Sequence, residues 1–251
     1  MIRTVSMLVL SMLACAAAAL AQSSSCADCH FANPQSDPFP QHTYDWESSP
    51  HGRNQVGCEK CHGGDATTFE SFLAHRGILT SRNPSSPTHR TNLPRTCGTC
   101  HTGPFVAFQR SRHFALLGQG GGEGPSCSTC HGPVAARLLS PRSLEKRCDT
   151  CHGPGGTFPQ PDFAPQGRIL HEEVQAVREM LASVPSMLRR VEDPLRRRTL
   201  EDAYEQAQVP LIEAVASAHA FVFDQMKERL ETAKQRSEAL LDQFANPPGN
   251  D

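Results

Sequence analysis

Five stretches of this chain share the pattern Cys-x-x-Cys-His: Cys26, Cys29 and His30; Cys58, Cys61 and His62; Cys97, Cys100 and His101; Cys127, Cys130 and His131; Cys148, Cys151 and His152. Two thiols at this spacing can each form a thioether to a vinyl group of one porphyrin. The histidine that follows is then held beneath the iron as its proximal ligand. A structural zinc site uses two cysteine pairs, or one pair with two spaced histidines. It has no need of a histidine directly after the second cysteine. Every copy here has that histidine. Ten of the eleven cysteines belong to the motifs and the eleventh, Cys15, lies near the start of the chain, so none is left for a disulfide framework. The expected cofactor is haem c (heme c), five groups, each covalently attached.

Histidine supply decides what the irons can do. Of the twelve histidines, five are proximal and seven remain: His42, His51, His75, His89, His113, His171 and His219. Five irons with imidazole on both faces would need five of these. Methionine is a poor substitute, because beyond the first 21 residues only Met180, Met187 and Met226 remain, all in the C-terminal region. A second repeat singles out two histidines. Trp46-Glu-Ser-Ser49-Pro-His51 and Phe108-Gln-Arg-Ser111-Arg-His113 both read aromatic-x-x-Ser-x-His, and Phe69-Glu70-Ser71 with His75 is a looser relative. The spacing predicts a short helix that packs an aromatic ring on a haem and presents histidine to an iron. The candidate distal ligands are therefore His51 and His113, then His75, His89, His171 and His219, with His42 ranked last. Arg76, Arg90 and Arg112 stand beside candidate ligands and are expected to pair with haem propionates. The run Gly118 to Gly124 lacks the Gly-Lys-Ser/Thr ending of a phosphate loop and reads as a flexible connection.

These residues need elements to position them, and composition limits what those can be. The chain has 251 residues, 38% hydrophobic, with 20 Pro, 18 Gly, one Trp and two Tyr. Residues 26 to 152 are loop-rich and bury little side-chain surface of their own. Porphyrin faces must replace the missing core, so folding and haem insertion are expected to be coupled. A formal charge of −2 gives no sign of a nucleic-acid partner. Residues 1–21 read as a secretory signal, with Arg3, an apolar run from Met7 to Leu13 and a small-x-small site at Ala19-Leu20-Ala21. The run is too short for a membrane span. A lipid anchor at Cys15 is the rival, though Met12-Leu13-Ala14 fits a lipoprotein box poorly. Export to the periplasm is the expected location. Residues 153–167 read as a linker. Beyond Arg168, Leu170, Val174, Val177, Leu181, Val184, Leu188 and Val191 step by four and three as on a helix, and Pro185 should interrupt them. Pro194 should open the next helix, and a third stretch should run from about Pro210 to Phe244. The arginines at 189, 190, 196, 197 and 198 read as a solvated turn, with an acidic partner's docking patch as the alternative. The expected fold is mainly α with extensive loop. A haem-packed N-terminal region with little regular structure precedes a C-terminal antiparallel helical bundle or hairpin. The division is 1–21 signal, 22–167 pentahaem-binding domain, 168–245 helical region and 246–251 tail.

The repeated motifs, the interleaved aromatic-x-x-Ser-x-His segments and the C-terminal helices resemble the multihaem cytochrome c superfamily. That superfamily includes hydroxylamine oxidoreductase, pentahaem nitrite reductase and their electron-transfer relatives. The resemblance covers roughly residues 26 to 244. It implies haems in near contact, mostly ligated by two histidines, with long helices at the C-terminal end. Nitrite reductases of the group replace one proximal histidine by lysine, whereas all five motifs here end in histidine. Hydroxylamine oxidoreductases cross-link a C-terminal tyrosine to the catalytic haem, whereas only Tyr44 and Tyr204 exist here and nothing around Tyr204 marks it for that role. The expected function is electron transfer between redox partners, such as other cytochromes or a membrane quinol-oxidising complex. The C-terminal helices are a candidate assembly surface, and no catalytic residue is assigned. The alternative is an oxidoreductase with one open haem acting on a small nitrogen or sulfur compound.

Overall fold

A computed structural model describes residues 24–35, 40–119, 123–132, 134 and 140–246. The proposed signal, Cys15, the middle of the glycine run and the tail from 247 lie outside these residues. Among the described residues every regular element is helical. The chain divides into two compact units, Met1–Leu79 and Thr80–Asp251.

Among its described residues the first unit holds five short helices: α1 (Ser25–Ala32), α2 (Pro40–Glu47), α3 (Pro50–Arg53), α4 (Glu59–His62) and α5 (Ser71–Ala74). Hydrogen bonds to loops tie them together. Ser25 N–H donates to Ala66 O at 3.2 Å, Ser25 Oγ to Thr68 O at 3.0 Å, and Ser24 Oγ to Glu59 Oε2 at 3.1 Å. Ala27 is the only buried apolar side chain among this unit's described residues, while Tyr44, Phe69, Phe72 and Leu73 are exposed. The unit therefore lacks a side-chain core, as its composition predicted.

The second unit begins with helices of similar length: α6 (Leu93–Gly98), α7 (Thr102–Gln109), α8 (Arg112–Gly118), α9 (Cys127–His131) and α10 (Pro141–His152). Longer helices follow: α11 (Phe163–Ala182), α12 (Val184–Leu188), α13 (Pro194–Ala220) and α14 (Phe223–Ala245). The apolar stripe predicted beyond residue 168 builds the core. Leu170, Val174, Val177, Leu181, Val184 and Leu188 pack with Leu200, Leu211, Met226, Leu230 and Leu240. Each fully buried side chain of this kind contributes about 1.5–3 kcal/mol. α11 also packs on α10, so the helical region is continuous with the fifth motif.

Pro185 does end the first long helix. α11 stops at Ala182, and α12 restarts with Pro185 in its first turn. Pro194 opens α13, with Asp193 as N-cap accepting from the N–H of Leu195 and Arg196. Two expectations need correction. The linker is shorter than 153–167, because α11 starts at Phe163. Pro210 opens no helix but lies inside α13, and the break comes at Phe221 and Val222. A proline at 210 deprives the Gln206 carbonyl of its helical donor. Arg236 of α14 fills that place, its Nη1 donating to Gln206 O at 2.9 Å. With Arg196 Nη2 on Gln243 O at 3.2 Å and Arg229 bonded to Glu213, this bond fixes α13 and α14 as an antiparallel hairpin. Arg196 and Arg197 are thus tied to carbonyls, Arg197 to Val191 O, which favours the structural reading of this arginine run.

Candidate haem sites

Each Cys-x-x-Cys-His motif forms one helical turn, and this explains the spacing. On a helix, residues at i, i+3 and i+4 share a face, so both sulfurs and the imidazole project to the same side. Motif one lies within α1, motif four is α9 itself, and motif five closes α10. In motifs two and three the histidine N–H donates to the carbonyl of the first cysteine, at 2.9 Å (His62 to Cys58) and 2.8 Å (His101 to Cys97). Gly63 and Gly132, at φ 76° and 86°, stop the turn after motifs two and four, in the left-handed region that glycine alone enters freely.

The motif histidines meet others. His30 faces His75 with ring centroids 6.1 Å apart, and His62 faces His42 at 5.9 Å. In the second unit His152 faces His113 at 5.9 Å, and His131 faces His219 at 6.3 Å. Two imidazoles bound to opposite faces of one iron, each through a nitrogen about 2 Å from the metal, hold their ring centres roughly 6 Å apart. Rotation about the axis through the metal leaves the interplanar angle free, so values from 14° (His131 and His219) to 81° (His42 and His62) are compatible. Among the described residues no group of three or more His, Cys, Asp or Glu side chains could hold a bare metal ion. Two imidazoles fall short of the four ligands of a structural zinc site, whereas a porphyrin fills the remaining positions itself. The residues present therefore fit haem.

Tautomers agree with ligation through Nε2. The Nδ1 atoms of His75, His219 and His152 lie 2.8, 2.8 and 3.0 Å from the carbonyl oxygens of Ser71, Val215 and Phe158. An Nδ1–H held by a carbonyl leaves the Nε2 lone pair for a metal. His113 Nδ1 is buried with no hydrogen-bond partner, the kind of polar atom a folded protein seldom leaves unmatched. Burial, then His42, lowers the pKa of His62, and burial, then His152, lowers that of His113. Both shifts favour the neutral ring, which is the ligating form.

Neighbouring motifs also sit close together. The Cys58 thiol is pushed up to about 11, first by burial and then by Cys26 and Glu59. The Cys97 thiol is raised by a hydrogen bond to Cys127, and Cys130 is raised by burial and then by Cys148. In thioether linkage these sulfurs carry no proton, so the shifts matter here as signs of proximity. Motif one lies by two, three by four, and four by five.

The aromatic-x-x-Ser-x-His repeat proves to be a helix–corner–helix unit. Trp46 and Phe108 lie in α2 and α7. Their carbonyls accept the N–H of Ser49 and Ser111, both at 2.9 Å. Each serine then N-caps the next helix, accepting from Gly52 N–H in α3 or Phe114 N–H in α8, both at 3.1 Å. The histidine is the second residue of that helix. The looser relative differs: Ser71 starts α5 and His75 follows its end.

Of the predicted distal ligands, His75, His113 and His219 face motif histidines. His171, on α11, lies near enough to His131 and His219 for both to depress its pKa, after burial and Arg178. His51 is placed on α3, and His89 lies in a turn with its Nδ1 2.7 Å from Thr91 Oγ1. Arg90 donates to Gly124 O at 2.7 Å, bracing the loop before motif four. Sequence reasoning ranked His42 last, yet it faces His62. No motif marks it, and its only signal is its place four residues before Trp46 in the same helix.

Cysteine pairs and histidine on helical turns, repeated along the chain and partnered by further histidines, define the class of multihaem c-type cytochromes. Residues 82–153, which carry motifs three to five, match the family described as cytochrome c7 and related cytochrome c. That match supports a multihaem electron-transfer cytochrome. No curated protein and no solved structure matches the chain.

Proposed function

We propose that this protein is a periplasmic pentahaem c-type cytochrome, passing electrons along closely packed, mostly bis-histidine, low-spin haems between redox partners. The observation that carries this reading is the set of four histidine pairs at 5.9–6.3 Å. Haem c supplies one-electron chemistry, its iron alternating between ferric and ferrous states. The chain's own residues hold, orient and close. Cys26 and Cys29, Cys58 and Cys61, Cys97 and Cys100, Cys127 and Cys130, and Cys148 and Cys151 anchor the five porphyrins. His30, His62, His101, His131 and His152 are the proximal ligands. His75, His42, His219 and His113 would serve as second ligands to four of the irons. For the iron at His101, His89 and His171 are the candidates for a second ligand within the same unit. Histidines on both faces would leave such an iron no open position for a substrate, so that electron exchange would be its only role. Two imidazoles also favour lower potentials than imidazole with methionine. The redox partners are other cytochromes or a membrane quinol-oxidising complex.

Replacing His42, His75, His113 or His219 by alanine, one at a time, tests the assignment. Each variant should keep five covalent haems and turn one iron high spin in the electron paramagnetic resonance spectrum. A variant with an unchanged low-spin spectrum removes its histidine from the ligand set.

A further inference from the structure

The turn between α13 and α14 contains a residue that its backbone disfavours. α13 ends in a Schellman motif: Phe221 N–H donates to Ala218 O and Val222 N–H to Ser217 O, both at 3.1 Å. The residue just past the helix cap then takes the left-handed conformation and is usually glycine. Here it is Phe221, at φ 58° and ψ 37°. A bulky side chain at positive φ is an outlier that calls for a compensating role. The ring supplies one. It forms a T-shaped contact with His113, with centroids 4.1 Å apart and planes at 87°, and a second one with Phe108, at 6.4 Å between centroids. Two residues earlier, His219 faces His131. One turn thus carries a ring against the His113–His152 pair and a histidine of the neighbouring pair.

We propose that Phe221 is a positioning residue for His113, fixing the plane and tilt of that imidazole as an axial ligand. The left-handed backbone is what delivers the ring to it. The inference rests on the reading of His113 as the distal ligand at motif five. α8 presents His113 from one side through its Ser111 cap, and Phe221 holds the imidazole from the other.

The test is Phe221→Gly in the intact holoprotein, with Phe221→Tyr as the conservative control and His113→Ala alongside. Glycine suits the left-handed position, which offsets packing lost with the ring, so Phe221→Gly should stay folded and keep all covalent haem. One of the five haems should nevertheless change: its low-spin g values should shift or its signal be lost to high spin, with a shift in its midpoint potential. Phe221→Tyr, which keeps the ring edge, should restore the parent spectrum. Unmoved g values and potentials in Phe221→Gly overturn the proposal while leaving His113 as a ligand. An unchanged low-spin spectrum in His113→Ala removes the ligand assignment itself, and the proposal with it.

Discussion

Two serines show how single residues aim a histidine. Ser49 and Ser111 are both buried, and each caps the helix whose second residue is histidine. Ser111 does more than cap, since its Oγ also donates to Phe108 O at 2.7 Å and closes the corner between α7 and α8. Replacing Ser111 by alanine should cost about 0.5–2 kcal/mol, the usual cost of a lost N-cap, and thermal melting of the holoprotein would measure it. A melting temperature equal to that of the parent would show that the cap carries no stability. The sequence revealed the repeat but not its geometry. Ser-x-His is legible as a pattern, and the reason for the serine appears only when its oxygen meets the N–H three residues on. His42 was illegible for a similar reason. Facing His62 needs only a ring in the right place, and α2 supplies that place without a motif.

At the scale of elements, the α13–α14 hairpin shows where local rules were overruled. Pro194 and Pro210 look alike in sequence, and only the first begins a helix. The second is tolerated because Arg236 reaches across to the carbonyl that the proline leaves without a donor. Removing that guanidinium leaves Gln206 O, on the exposed side of the hairpin, with water alone. Arg236→Met should therefore destabilise the hairpin by about 1 kcal/mol, near the net worth of one hydrogen bond. Combining it with Pro210→Ala, which restores the backbone donor, should recover the loss. Equal melting temperatures for Arg236→Met and the parent would contradict this. The helix stripes themselves were readable because their spacing follows burial directly, from Leu170 to Leu188 in the core. The break at Phe221 was not, because a phenylalanine gives no sequence sign of a left-handed turn.

Across the whole molecule, the apolar core is unevenly distributed. Among the described residues most buried apolar side chains lie on α11 to α14, with Ala107, Phe108 and Leu117 on α7 and α8, whereas residues 24–79 contribute only Ala27. The side chains of that first unit cannot by themselves offset the roughly 1–2 kcal/mol of backbone entropy lost per ordered residue. On the proposed reading, covalent haem supplies the missing core. Changing Cys26, Cys29, Cys58 and Cys61 to serine should abolish amide protection over residues 24–79 in hydrogen exchange and leave α13 and α14 protected. Retained protection over residues 24–79 would mean that the unit has a source of order other than haem. The match of residues 82–153 to the cytochrome c7 family is in keeping with this picture, since that segment too is built of short helices around motifs.

The proposed carrier requires five covalent haems, with every iron closed on both faces and most of them by two imidazoles. Its most direct test is an electron paramagnetic resonance spectrum of the fully oxidised protein, with covalent haem quantified on the same sample. The account predicts five haems per chain and low-spin ferric signals only. A stoichiometric high-spin signal would contradict it, revealing an iron open to substrate and an enzyme in place of a carrier.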